Sequence, residues 1–278
     1  MKISADIAEK YIKGEDILQF KNKWFFFSQT GKSENIFKKP PYTNEHKKSV
    51  AAAVEIIRET AADFVPLNKE IFDDIFPNWQ SELNEITAEI IVGLPQPYDA
   101  MMMLDPNGKQ NIIFNAGIWA DYVGKYDLSA LARNLLTHEF CHVCISKRFP
   151  QLNEVYNGSD YITKLDAAAF DEGFAHMLSF GGKNLIENDF HTEKLNASGK
   201  TNAIKMLSAL NEKNPEKQKE LLEEAVCGSY YEKFAAICGM TYLADIWKNG
   251  GTQALKNRFN KGYSGFAAET VKSNIKLI

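Results

Sequence analysis

The sequence predicts an α+β fold, with a small sheet and a long helix in one lobe and a mainly helical second lobe. Three short apolar runs support the sheet, and the turn signals GLPQP and DPNGK separate them; the runs cover residues 86–92, 99–104 and 110–114. This pattern is typical of a small antiparallel or mixed sheet. Next comes a long helical pattern, and most of residues 160–278 is also helical by pattern.

The elements follow in order along the chain. Residues 4–20 predict a short helix, and the run KWFFFS around residues 24–27 predicts a strand or an anchoring segment. After the paired prolines of KKPPYTNE, which a helix does not continue through, a helix is expected over about 43–64. The long helix begins at a cap, Asp127 or Ser129, and runs to about Lys147.

We therefore expect three regions. Residues 1–80 form a mainly helical N-terminal segment, residues 81–150 hold the sheet and the long helix, and residues 151–278 form a helical lobe. A polar loop near 181–202 interrupts that last region.

Composition excludes several classes of protein. The chain has 278 residues, 45% of them hydrophobic and 24% charged, with a net charge of −4. Nucleic-acid and membrane-surface partners need a concentrated basic field, so neither is expected. No apolar run approaches the length of a membrane span. The N-terminus carries no signal-peptide pattern and predicts a cytoplasmic protein, unless a signal has already been removed. The four cysteines are too few for a disulfide scaffold.

Residues 137–143 read THEFCHV, which places H-E-x-x-H inside the predicted long helix. Residues four apart lie on one helical face, so His138 and His142 can reach one Zn²⁺. Glu139 points into the same cleft, where it can take a proton from an attacking water. These ionisable side chains interrupt two apolar stripes of the helix, and burying them without a partner would cost several kcal/mol. The pattern therefore predicts a zinc site.

A catalytic zinc normally has three protein ligands, so a third is needed from elsewhere. The best candidate lies in AAFDEGFAHML, residues 168–178, on a second predicted helix. Glu172 is favoured by its place on the inner stripe of that helix. His176, one turn later, and Asp171 are the alternatives.

HEFCH followed by DEGFA resembles the gluzincins, the thermolysin-like and aminopeptidase-like zinc peptidases. It is most similar to poorly characterised bacterial zinc-dependent proteases whose HExxH and EGxA motifs are about thirty residues apart. The resemblance covers roughly residues 85–180. It implies a zincin-like fold, a peptide or protein substrate, zinc as cofactor, His138, His142 and Glu172 as ligands, and Glu139 as general base.

The same resemblance extends to residues 112–116, IIFNA, which resemble the edge strand of gluzincins. There, Asn115 and Ala116 are expected to meet the substrate backbone by β-augmentation. The oxyanion formed during hydrolysis needs a further hydrogen-bond donor. We expect His176 or Tyr231 to supply it, and the other candidates are His191, Tyr230 and Tyr242.

Two features depart from the family pattern. The step from His142 to Glu172 is 30 residues, longer than in thermolysin or the aminopeptidases, and the GxMEN motif of the aminopeptidases is absent. Where several relatives carry an Asp that orients a zinc histidine, this chain has His176. Another acceptor must then do so, and Asp171, Asp166 or a backbone carbonyl is expected.

Other motifs have simpler explanations. Cys141-x-x-Cys144 lies inside the long helix without a second CxxC, so small buried side chains are expected. Met101–Met103 is more typical of a strand core than of a specificity pocket. Two other functions stay open: a zinc hydrolase of a non-peptide amide, and a non-catalytic binding or regulatory module on the same scaffold.

Overall fold

The computed structural model describes residues 1–27, 34–190 and 192–275. It confirms an α+β fold, with one four-stranded sheet and mostly helix elsewhere in these residues. The chain forms two compact units, residues 1–66 with 78–143, and residues 67–77 with 144–278. No described helix is both long and apolar enough to cross a bilayer. The predicted domain boundaries at 80 and 150 stay a prediction.

The first unit is built on a mixed sheet with the strand order β1-β2-β4-β3. β1, β2 and β4 are parallel, and β3 is antiparallel to β4. A turn at Asp105 joins β3 to β4: its carboxylate accepts the N–H groups of Asn107 and Lys109, and Gly108 takes a φ of +77°. The strands are β1 Lys2–Ser4, β2 Thr87–Ile91, β3 Ala100–Leu104 and β4 Gln110–Asn115.

The helices of this unit confirm the long elements and correct the short ones. The predicted helix over 4–20 is much shorter, because Gly14 ends it in a left-handed conformation with a φ of +82°. The aromatic run forms a short 3₁₀ turn at Trp24–Phe26 and not a strand. The helices are α1 Asp6–Lys13, α2 Asn44–Ala62, α4 Trp79–Glu85, α5 Ala116–Trp119 and α6 Leu128–Arg148, the last of which runs on into the second unit.

The structure corrects the prediction that residues 112–116 form an edge strand. β4 lies between β2 and β3, so both of its edges are paired. Every residue of β4 is buried, as expected for an inner strand covered on both faces. Among the described strands, β3 is the edge strand on this side of the sheet, and all of it except Met103 is partly exposed.

α6 is held in the first unit by its cap and by one aromatic side chain. Asp127 is the cap, since its Oδ1 accepts the N–H groups of Ser129 and Ala130, each at 3.1 Å. Phe140 is fully buried between the rings of Phe64 and Trp79, at centroid distances of 5.9 and 6.3 Å. These contacts turn the opposite stripe of α6, which carries the predicted zinc histidines, away from the aromatic core.

The second unit is helical, as predicted. α8 begins at an Asp160 cap, whose carboxylate accepts the N–H of Thr163 at 2.7 Å. A cluster of phenylalanines forms its core: Phe149, Phe170, Phe174, Phe259 and Phe266. The helices are α3 Lys69–Ile75, α7 Leu152–Asn157, α8 Tyr161–Ser179, α9 Glu193–Asn211, α10 Pro215–Val226, α11 Phe234–Asn260 and α12 Phe266–Ile275.

α8 and α11 meet backbone to backbone. A Cβ atom on Gly173 would lie 2.8 Å from the Cα of Gly239, and a Cβ on Gly239 would collide with the carbonyl oxygen of Ala169. Only glycine permits this approach. The contact lets α11 pack closely on α8, and it fixes the turn of α8 that carries Glu172.

We expect Gly239→Ala to destabilise the protein by about 1–3 kcal/mol, because the added methyl group forces α8 and α11 apart. Urea unfolding measures the difference. Gly199→Ala on α9 is the matched control, since its Cβ would make only ordinary contacts at 3.8 Å and alanine favours the helix by about 1 kcal/mol. Equal effects of the two substitutions would contradict the close contact.

Candidate metal centre

α6 places the two predicted histidines side by side. The Nε2 atoms of His138 and His142 lie 3.2 Å apart, and the rings are nearly perpendicular at 83°. His142 is buried and His138 is partly exposed, so the pair lies at the boundary between interior and solvent. The i, i+4 spacing on one helical face produces this arrangement.

The distance between the two ring nitrogens fits a zinc ion. Zinc–nitrogen bonds of about 2.0–2.1 Å in a tetrahedron place two ligand atoms roughly 3.3 Å apart. His138, His142 and Glu172 each offer one ligand atom, and these three atoms lie within 4.8 Å of one another. Two imidazoles and a carboxylate form a ligand set that zinc accepts with one position left open. These three residues could therefore hold the metal ion.

Glu139 is hydrogen-bonded to β3, the edge strand of the sheet. Its side chain is buried, and its Oε2 accepts the backbone N–H of Met102 at 2.6 Å. Met102 lies on β3, which gives the carboxylate a fixed direction next to the histidines of the same helix. A buried carboxylate held beside these histidines is suited to accept a proton from a nearby water.

His176 supports Glu172 and Tyr230 covers His176. The Nδ1 of His176 lies 3.0 Å from the carbonyl oxygen of Glu172 and 3.2 Å from its Oε2. Both neighbours are acceptors, so the proton of the imidazole lies on Nδ1. The ring of Tyr230 packs on that imidazole at 5.3 Å, and burial raises the pKa of the Tyr230 phenol well above its ordinary value. The Nδ1 of His176 thus lies within reach of both the backbone carbonyl and the carboxylate of Glu172.

Asp171 and Asp166, the carboxylates expected to orient a zinc histidine, each accept hydrogen bonds from other groups. Asp171 Oδ2 accepts the hydroxyl of Tyr156 at 3.2 Å. The carboxylate of Asp166 accepts the N–H groups of Gly265 and Ala267, at 2.7 and 2.9 Å, and so caps α12. Neither contact involves the ring of a zinc histidine.

Tyr156 was missed by the sequence analysis. It lies on α7, in the connection between the two ligand-bearing helices, and its hydroxyl donates to Asp171, the neighbour of Glu172. Although Tyr156 is 41% exposed as a residue, loss of water around its hydroxyl, and then the negative charges of Asp171 and Glu172, raise its pKa well above the ordinary value, so it stays protonated. The signal in the sequence is its place in the long insertion NEVYNGSDY before the Glu172 helix.

The other candidate donors for the oxyanion make the following contacts. The ring of Tyr231 packs under Lys194, whose Nζ is 4.0 Å from the ring centroid, and its carbonyl oxygen accepts from Ser198 and Asn202. The hydroxyl of Tyr242 donates to Glu269 at 2.7 Å. His191 lies outside the described residues. Tyr230, the neighbour of Tyr231, is the tyrosine that contacts His176.

Asn115 and Ala116 are buried at the end of β4. The amide nitrogen of the Asn115 side chain donates to the carbonyl oxygen of Leu94 at 2.8 Å, and its backbone N–H donates to Asp99. Asn115 and Ala116 were expected to meet the substrate at a strand edge, but β4 is an inner strand and offers no such edge. Cys141 and Cys144 are free and buried, as predicted.

Comparison with known proteins gives one family. Residues 75–267 match the model of a family described as "Putative zinc dependent peptidase (DUF5700)". Neither the curated proteins nor the solved structures gave a match. The matched segment covers more than half of the chain, including α6, with its two histidines, and α8, with Glu172. The chain therefore belongs to the DUF5700 family.

Proposed function

We propose that the protein is a zinc peptidase of the gluzincin type, with a zincin-like fold, which hydrolyses peptide bonds. The observation that carries the proposal is the grouping of His138, His142 and Glu172, whose ligand atoms lie within 4.8 Å of one another. Family membership supports the same ion and the same class of reaction.

Each residue has a role in the proposed reaction. His138, His142 and Glu172 hold zinc, which when bound polarises the substrate carbonyl and makes water more acidic. Glu139 takes the proton of the attacking water and passes it to the leaving amine. The backbone N–H of Met102 holds the carboxylate of Glu139 in place for both transfers. His176 keeps the carboxylate of Glu172 directed, because its Nδ1 lies 3.2 Å from the Oε2 of that carboxylate.

A neutral hydrogen-bond donor is needed near the carbonyl oxygen as it gains charge. Tyr156 is a candidate, because its hydroxyl stays protonated and is held beside Asp171, the residue before Glu172. Tyr231 and His176 were the sequence-based choices for this role. His176 already uses its Nδ1 proton on Glu172, and the ring of Tyr231 faces Lys194.

Metal analysis and a peptide digest test the proposal together. The purified protein should contain about one zinc per chain and should cleave members of a peptide library. A chelator should abolish that cleavage, and added zinc should restore it. Protein without zinc after gentle purification would contradict the metal site. A zinc-loaded protein that cleaves no peptide, but hydrolyses small amides, would favour the non-peptide alternative.

A further inference from the structure

A cavity of about 180 Å³ lies between α9, α11 and α12 of the second unit, and none of the side chains that could hold the metal lines it. The three helices leave this space because α9 has no side chain at Gly199. A Cβ atom there would lie 3.8 Å from both Asn274 Oδ1 and Thr241 Cγ2, which belong to the opposite wall. Since a cavity of roughly 150 Å³ holds a molecule the size of benzene, this one has room for a small metabolite.

The wall of the cavity carries a buried acceptor with spare capacity. Asn274 is only 2% exposed, and its Nδ2 donates to the carbonyl oxygens of Cys238 and Thr270, which fixes the direction of its Oδ1. The hydroxyl of Thr241 lies 2.9 Å from that Oδ1 and 2.8 Å from the carbonyl oxygen of Ile237, and it has one proton to donate. Within the described part of the chain, the two lone pairs of Asn274 Oδ1 therefore share at most one donor. The oxygen can accept a further N–H from a molecule in the cavity.

Side chains of opposite charge also line the cavity. Lys200 contributes from α9 and Asp245 from α11, and the first is exposed while the second is partly exposed. No ion pair joins either of them to another described residue. The carboxylate of Asp245 accepts one long hydrogen bond, from Ser273 Oγ at 3.3 Å. A molecule that carries both an anionic and a cationic group would therefore find a partner for each.

The remaining wall of the cavity is apolar. Phe190 and Leu195 are both buried, and neither side chain has a polar atom. The ring of Phe190 is held in place by Phe180, at a centroid distance of 4.9 Å. An apolar group that packs against this wall leaves water, which favours binding.

From this lining we propose that the cavity binds a free apolar amino acid such as leucine. The ammonium group pairs with Asp245 and donates to Asn274 Oδ1, and the carboxylate pairs with Lys200. The apolar side chain packs against Phe190 and Leu195. This site is separate from the metal centre, and the inference does not rest on the proposed function.

Calorimetric titration of the full-length protein with four compounds tests the class of ligand. Leucine should bind. Isocaproate, which lacks the ammonium group, and isoamylamine, which lacks the carboxylate, should each bind about 10-fold more weakly or worse, because one charged group of the cavity then has no partner. Glycine, which lacks the apolar side chain, should also lose about 10-fold or more.

Substitutions in the lining test the place of binding. Asp245→Asn and Lys200→Gln remove one charge each with little change of size, and each should weaken leucine binding by about 10-fold. Glu220→Gln and Lys219→Gln are the matched controls, since both residues are exposed on α10 and do not line the cavity. These controls should bind leucine like the wild type.

A third variant fills the cavity. Gly199→Leu places an apolar side chain in the space between the helices and should abolish leucine binding. If this variant folds poorly, Asp245→Asn and Lys200→Gln still decide the proposal, because neither adds volume.

Four results would overturn the proposal. They are no binding of leucine to the wild type, equal affinities in the cavity variants and their α10 controls, and isocaproate or isoamylamine binding as tightly as leucine. The fourth is binding that is lost in His138→Ala but unchanged in Asp245→Asn, which would place the amino acid at the metal centre.

Discussion

Glu139→Gln should lower kcat for peptide hydrolysis by about 10²- to 10⁴-fold, the range for a positioned general base. The amide keeps a carbonyl oxygen, so it can still accept the N–H of Met102 that now bonds to Glu139 Oε2 at 2.6 Å. It cannot take a proton from water. Kinetics on one cleaved peptide measure the loss.

The zinc content of the variant is the control for that experiment. Glu139 is not one of the three residues whose ligand atoms group together, so the glutamine variant should bind as much zinc as the wild type. Unchanged turnover in a zinc-loaded variant would remove Glu139 as the base. Loss of zinc from the variant would instead place Glu139 among the groups that hold the metal.

Glu172→Ala should weaken zinc binding by more than 100-fold, because it removes one of three protein ligands. His176→Ala should weaken it less, by about 10- to 100-fold, the usual effect of losing a group that orients a ligand. Competition with a fluorescent chelator measures both affinities without any activity assay.

The substitution that weakens zinc binding more identifies the third ligand. His176 Nδ1 lies 3.2 Å from Glu172 Oε2 and its ring packs on Tyr230, so we expect it to support the carboxylate. If His176→Ala releases zinc more readily than Glu172→Ala, the histidine is the ligand and the carboxylate supports it. His176→Gln, which can still donate to Glu172, should recover part of the affinity lost in His176→Ala.

Local patterns predicted the long helices and the histidine pair well. The i, i+4 spacing in α6 and the capping side chain of Asp127 depend only on neighbours in the chain, and both are present. The position of Glu172 on an inner helical stripe placed its carboxylate within reach of the two imidazoles. Periodicity carries this information because it reports which face of a helix is covered.

Strand order could not be predicted in the same way. Whether a strand is inner or outer depends on its partners, and the resemblance to an edge strand at 112–116 gave the wrong answer. The unbroken apolar run Ile112–Phe114 was the available signal, since runs of this kind are typical of strands buried on both faces. For the same reason the bond from the N–H of Met102 to Glu139 could not be predicted, because it requires knowing that β3 is an edge strand.

The directions of the tyrosine side chains could not be predicted from the sequence either. Tyr230 and Tyr231 are adjacent, yet one contacts His176 and the other lies under Lys194. Both residues belong to the short 3₁₀ turn Tyr230–Glu232, in which neighbouring side chains point in different directions. Tyr156 lies on a six-residue helix in an insertion, where no periodic pattern is long enough to identify a face.

The contact of Gly173 with Gly239 constrains how this family can vary. When two large side chains meet, a change in one can be offset by trimming the other. Here neither helix has a side chain to trim, because each glycine meets the backbone of the other helix. A larger residue at either position can be accommodated only by moving α8 and α11 apart, and Glu172 is the neighbour of Gly173 in that contact. We expect relatives that keep the carboxylate ligand to keep both glycines together, although Gly239 itself binds nothing.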